Sequence, residues 1–266
     1  MKLCPRLLTL LFGLLAFGAN AINTPAELNF CHEDQNAFPW VFPKGNQTRG
    51  LDIELIKLLE SELKTPINLH KLPWKRCLKS MQSGTMDGAF AASFKQERLR
   101  MGNYPTLLDG QLDKERRIHI SGYSLYRRKD SNLQWNGKGF ENLSGTIGVQ
   151  PGFSIVDRLK KLKVPLDEGA RGPELILYKL LRGRLQGAAL QTMRADFVLR
   201  NDPVLSKGLE KWKIPISEKP YYLMLSFPLV DNYPEFSDEI WSTLTKLRES
   251  EEFKQQQDKF WQLYQE

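Results

Sequence analysis

LDIELIKLLESELKTPINLHKLPWKRCLKSMQSGTMDGAFAA, Leu51 to Ala92, is the stretch that decides the fold. Leu51, Leu55, Leu58, Leu59 and Leu63 recur at helical spacing, so Leu51–Leu63 reads as an amphipathic helix. Asp52 and Glu54 suit its positive N-terminal end. Ile67–Leu72 (INLHKL) alternates like a strand. Trp74–Gln82 reads as a second helix, stopped by Ser83-Gly84, and Asp87–Ala92 (DGAFAA) as a small apolar strand. Upstream, Glu27–His32 (ELNFCH) is a short strand, followed by a loop at 36–50 rich in Pro, Gly and aromatic residues. The run is β-α-β-α-β, which predicts a parallel sheet covered by helices.

Further along, the pattern changes. Residues 101–115 read as a long polar loop, and Arg117–Arg127 (RIHISGYSLYR) as an extended strand. Gly145–Val149 (GTIGV) opens a second β-α series. Helices are expected at Phe153–Leu162 and Pro173–Leu181, strands at Gln186–Leu190 (QGAAL) and Tyr221–Phe227 (YYLMLSF). Two more helices are expected over Pro234–Tyr264, with Trp241, Leu244, Leu247, Phe253, Phe260 and Trp261 on apolar positions. The halves echo each other: Ser83-Gly84-Thr85-Met86-Asp87-Gly88-Ala89-Phe90 resembles Arg182-Gly183-Arg184-Leu185-Gln186-Gly187-Ala188-Ala189. Each is a helix end, a glycine stop and a strand of small side chains. Ligands favour the crevice beyond the carboxyl ends of such strands, so two facing lobes predict a cleft.

The chain has 266 residues, 41% apolar and 26% charged, near the globular average of roughly 45–50% and 25%. That excludes a disordered tail, a multi-span membrane protein and a cysteine-stapled miniprotein. Residues 1–21 read as a cleaved signal peptide: Lys2 and Arg6, the apolar run Leu7–Phe17, then Ala19-Asn20-Ala21. The run falls short of the about 20 apolar residues that span a bilayer. Losing Lys2 and Arg6 takes the formal net charge from +7 to +5. The remaining basic residues are interleaved with acids, as in Asp113-Lys114-Glu115-Arg116-Arg117, whereas nucleic-acid binders cluster them on one face. No nucleic-acid partner is expected. Export implies an oxidising compartment. There Cys31 and Cys77 are preferred as a disulfide, with two buried thiols as the alternative. His32 and the two sulfurs lack ligand spacing, so no metal is expected. No cofactor is implied.

Phe38-Pro39-Trp40, Gly50-Leu51-Asp52-Ile53-Glu54-Leu55, Pro73-Trp74-Lys75-Arg76, Gln82-Ser83-Gly84-Thr85-Met86-Asp87, Ser93-Phe94-Lys95-Gln96-Glu97-Arg98, the segment Leu143–Gly152 (LSGTIGVQPG) and Gly183-Arg184 follow one another in a characteristic order and spacing. In this the chain resembles the bacterial solute-binding proteins of family 3, receptors of polar amino-acid ABC transporters, over roughly 28–261. The segment Pro73–Cys77 marks a divergent branch. The resemblance implies an α/β, type II periplasmic-binding-protein fold, two α/β lobes joined by two crossover strands near Ser121–Tyr126 and Pro215–Leu225. Lobe 1 is expected to comprise residues 22–122 and 219–266, and lobe 2 residues 123–218.

The resemblance also implies roles. An arginine at the position of Arg98 grips the ligand carboxylate, which the planar guanidinium fork matches. Ser93, at a strand end, is expected to donate a hydrogen bond. Phe153 and Ser154 open a lobe-2 helix whose free N–H groups suit an anion. Asp34 matches an acid that reads the ligand side chain in some members, with a turn residue as the alternative. Trp40 and Trp74 are candidate aromatic walls, with core packing as the alternative. Gln191 stands where amino-acid receptors carry an aspartate for the α-ammonium, and Lys95 replaces a threonine. A neutral amide forms no ion pair with an ammonium. An anionic or neutral solute is therefore favoured over an ordinary α-amino acid.

The reading is a monomeric periplasmic receptor that closes on a small-molecule solute and serves an ABC permease or a membrane sensor. The alternative is a periplasmic enzyme, lyase- or dehydratase-like, on the same fold. A signalling module that binds no solute is a third possibility. Against catalysis, His32, His70 and His119 are scattered, and no Ser-His-Asp elbow, zinc signature or phosphate loop is present. A bonded Cys31 is no nucleophile.

Overall fold

The computed structural model describes residues 22–264; the expected signal peptide, 1–21, lies outside the described residues. Chain order begins β1 (Leu28–Glu33), a hairpin of β2 (Phe42–Lys44) and β3 (Gln47–Arg49), α1 (Leu51–Leu63), β4 (Ile67–Leu72), α2 (Trp74–Gln82) and β5 (Gly88–Ser93). β1 lies parallel to both β4 and β5, as the β-α-β-α-β pattern requires. Alternation along these strands splits the core: Phe30 and Phe90 pack with α1, while Cys31, Ala89 and Ala92 pack with Cys77, Leu78 and Met81 of α2. A disulfide joins Cys31 to Cys77 with the Cα atoms 5.7 Å apart, tying β1 to α2.

A 3-10 turn (Gln96–Arg100) leads by a long loop to β6 (His119–Arg128). The second lobe follows: β7 (Gln134–Trp135), β8 (Phe140–Glu141), β9 (Ile147–Gly148), α3 (Ile155–Lys161), β10 (Leu166–Asp167), α4 (Pro173–Leu181), β11 (Gly187–Gln191), α5 (Thr192–Asn201) and α6 (Pro203–Gly208). β12 (Leu209–Leu225) returns, and α7 (Phe227–Asn232), α8 (Pro234–Glu249) and α9 (Glu251–Tyr264) close on the first lobe. One eight-stranded sheet runs through both lobes in the order β10-β9-β11-β6-β12-β5-β1-β4. At its middle β6 and β12 pair antiparallel as a ribbon; β6 also holds β11 and β12 also holds β5. Each lobe has its own core, one including Phe90, Leu223, Trp241 and Phe253, the other Leu125, Trp135, Ile147 and Leu159.

The internal echo has a backbone counterpart. Gly84 after α2 and Gly183 after α4 have φ of 70° and 71°, the left-handed conformation that ends a helix and that glycine adopts without strain. Two differences from the sequence expectation stand out. β12 runs 17 residues, taking in the crossover expected near 215–225 and starting well before the strand expected at 221–227. The segment 192–208 is helical, where no helix was expected. Among the described residues no helix is long and apolar enough to cross a membrane.

Candidate functional site

The carboxyl ends of β1, β5 and β11 meet between the lobes. β1 delivers His32 and Glu33. β5 ends in Ser93, and the 3-10 turn beyond it turns Arg98 inward. β11 ends in Gln191, and the first turn of α5 adds Arg194. With Trp40, Trp74, Phe153, Ser154 and the ribbon residues His119, Tyr123 and Tyr221, they line one cavity. Counting its mouth, it holds about 520 Å³.

Arg98 is 4% exposed. Its Nη1 donates to the Ser93 carbonyl at 2.6 Å and to Ser93 Oγ at 3.3 Å. Its Nη2 donates across the cleft to the Gly152 carbonyl at 3.3 Å. The guanidinium lies 5.2 Å from the Trp74 ring centroid, a cation–π contact. All three hydrogen bonds found among the described residues thus end on neutral oxygens. A buried cation without a carboxylate partner is costly.

The opposite wall is a polar chain. Arg194, 2% exposed, donates to Glu33 Oε2 at 2.9 Å, to Gln191 Oε1 at 3.1 Å and to the Asn36 carbonyl at 2.8 Å. Burial raises the Glu33 carboxyl above its usual range, and the Arg194 charge acts against that shift. Gln191 Nε2 donates to Tyr221 Oη at 2.9 Å, and Tyr221 Oη to Tyr123 Oη at 3.3 Å. Tyr123 lies 3.5 Å from Ser154 Oγ, and burial lifts its phenol well above the usual range. Trp40, His119 and Tyr221 form a stack, with centroids 3.8 Å and 5.1 Å apart. His119 Nδ1 meets Asp52 Oδ1 at 2.8 Å. Burial lowers the pKa of His32, which favours the neutral ring.

Seven of the residues singled out in the sequence, Trp40, Trp74, Ser93, Arg98, Phe153, Ser154 and Gln191, line this one cavity. Asp34 is placed outside it: its carboxylate accepts from Arg171 Nη2 at 2.6 Å across the cleft rim. Ser154 sits before α3, which begins at Ile155, and makes no cap bond. Lys95 also crosses the cleft, to Asp157 at 2.5 Å, and Phe38 stacks on Phe197 of α5 at 4.1 Å. Sequence reading missed Glu33, His119, Tyr123, Arg194 and Tyr221 as cavity residues. The signal for Arg194 was present in its place just beyond a strand of small residues, but α5 went unrecognised.

A model of the bacterial extracellular solute-binding proteins, family 3, matches residues 30–262. No curated protein matches the sequence. Among solved structures, a Salmonella typhimurium periplasmic binding protein described as having high arginine specificity is 14% identical, over 88% of this chain and 99% of that one, with a TM-score of 0.68. The ligand-binding core of GluR0 from Nostoc punctiforme, in complex with L-glutamate, is 14% identical over 88% and 98%, TM-score 0.69. A histidine kinase sensor domain with similarity to periplasmic binding proteins is 14% identical over 88% and 95%, TM-score 0.71. At these identities the likeness is one of fold.

Proposed function

The chain belongs to the bacterial extracellular solute-binding proteins, family 3, and from that membership we propose that it is a periplasmic receptor for a small anionic solute, passed to an ABC permease or a membrane sensor. It is a solute-binding protein with a type II periplasmic-binding fold. The anionic specificity rests on Arg98, buried at the cleft, whose hydrogen bonds among the described residues all end on neutral oxygens. Gln191 supports the same reading, since both ends of its amide are already engaged. Lobe 1 is taken as 22–122 with 219–266 and lobe 2 as 123–218, a division that the separate cores support. The protein acts as a monomer, by binding without catalysis. Closure shifts an open–closed equilibrium by the solute's preference for the closed form.

Mass spectrometry of small molecules released from the purified mature protein tests this. Carboxylates or other anions are the expected yield, and they should bind the stripped protein by calorimetry. A cationic guest that rebinds tightly would overturn the reading.

The ribbon adds a pH dependence. Lys219 has its pKa lowered to about 8, by burial first and then by Arg98 and Lys95, with Asp157 opposing and Arg158 adding to the effect. Its Nζ lies 5.9 Å from the Tyr123 ring centroid. Below pH 8 it is charged and adds to the field that attracts an anion; above pH 8 that contribution is lost. Affinity for an anion is expected to fall about fivefold between pH 7 and 9, roughly 1 kcal/mol of charge interaction. Lys219→Met should flatten the profile, and a wild-type affinity constant over this range would refute the coupling.

A further inference from the structure

Seven buried side-chain polar atoms without a partner occur among the described residues, and only two of them belong to residues that line the cavity: Trp40 Nε1 and Arg194 Nη2. One comes from each side of the cleft, and both are N–H donors. Buried donors left unpaired are costly, so sites that carry them discriminate strongly for an acceptor. Two acceptors beside Arg194, and Ser93 Oγ beside Arg98, already receive an arginine. Glu33 Oε2 and Gln191 Oε1 both receive Arg194 Nη1, and Ser93 Oγ receives Arg98. Glu33, the one carboxylate among the residues lining the cavity, is paired with Arg194, so an ammonium head would have to compete with that guanidinium. These two donors are additional to the guanidinium of Arg98.

Resting on the receptor reading above, we propose that the solute is a dicarboxylate, one carboxylate held by Arg98 and the second by Arg194 Nη2 and Trp40 Nε1. Arg194 and Trp40 are then the residues that set specificity, and Arg98 is the anchor common to any carboxylate. The cationic head of Arg194 stays in place through Glu33, which fixes its fork without occupying Nη2.

Calorimetry on the stripped mature protein compares succinate with butyrate, glutarate with valerate, and glutarate with L-glutamine. The better diacid is expected to bind about 10- to 100-fold more tightly than its monoacid, the range for a charge-assisted hydrogen bond. Trp40→Phe keeps the ring stack and removes the donor. Arg194→Gln combined with Glu33→Gln removes the second head without leaving a buried carboxylate unpaired. Each should narrow the diacid-to-monoacid ratio to within about threefold while valerate still binds. A diacid no tighter than its monoacid, a ratio unmoved in both variants, or L-glutamine binding more tightly than glutarate overturns the proposal. Arg98→Met separates the two readings. If it abolishes monoacid binding while the ratio test fails, the anion receptor stands and the dicarboxylate falls. If no acid binds the wild type, both fall.

Discussion

Arg98→Met is expected to abolish solute binding and leave the unliganded protein at least as stable as the wild type. The two effects separate because the guanidinium has no buried counter-charge to strand. Its departure leaves the Ser93 carbonyl still accepting from Tyr104 Oη at 2.9 Å, and Met fills similar volume against Trp74. Removing a desolvated charge is often neutral or stabilising. In the complex, by contrast, the solute's anionic group would sit buried without its partner. That costs about 2–5 kcal/mol, roughly a 30- to 5,000-fold loss of affinity. Arg98→Lys keeps the charge without the fork and should fall between. Calorimetry and thermal melts on the same samples check both halves. Native affinity in Arg98→Met would remove the anchor from the binding scheme.

Replacing both cysteines, Cys31→Ala with Cys77→Ala, is expected to lower stability by about 2–4 kcal/mol, as loss of a long-range cross-link does. The bond spans 46 residues, and both sulfurs lie in a fully buried cluster with Met81, Ala89 and Tyr222. It also has a site consequence. β1 carries His32 and Glu33 into the cavity and α2 begins with Trp74, so the bond fixes one wall against another. Affinity should therefore weaken along with stability. Urea unfolding of the double variant, and of the wild type with and without reductant, measures the effect. An unchanged midpoint would show that the bond contributes nothing.

What was legible depended on the range of the interactions. α1, β4, α2 and α4 have the bounds read from sequence, because apolar spacing and a glycine or proline stop are local signals. β12 was cut short because residues 209–220 are only half buried in alternation and include Pro215 and Pro220, which argue against a strand. The ribbon tolerates Pro215 where the register slips, at 211–215 and 215–217, while Pro220 lies in register opposite Ile120. Five of the ten residues of α5 are apolar, but only Ala195 and Val198 of them are buried. The cavity residues named in advance came from the family resemblance. Arg194 with Glu33, and Arg171 with Asp34, pair across 161 and 137 residues. Nothing local in either segment marks such a pair; only the closed arrangement of the lobes brings them together.

The return of β12 has a consequence for how the polypeptide matures. Everything in the second lobe's core lies between Tyr123 and Ile216, one uninterrupted length of chain. The first lobe begins earlier yet draws on Leu223, Trp241, Leu244 and Phe253, so it stays incomplete until nearly the last residue has been made. During synthesis, which adds residues from the N-terminus onward, the half that starts second is the half that can finish first.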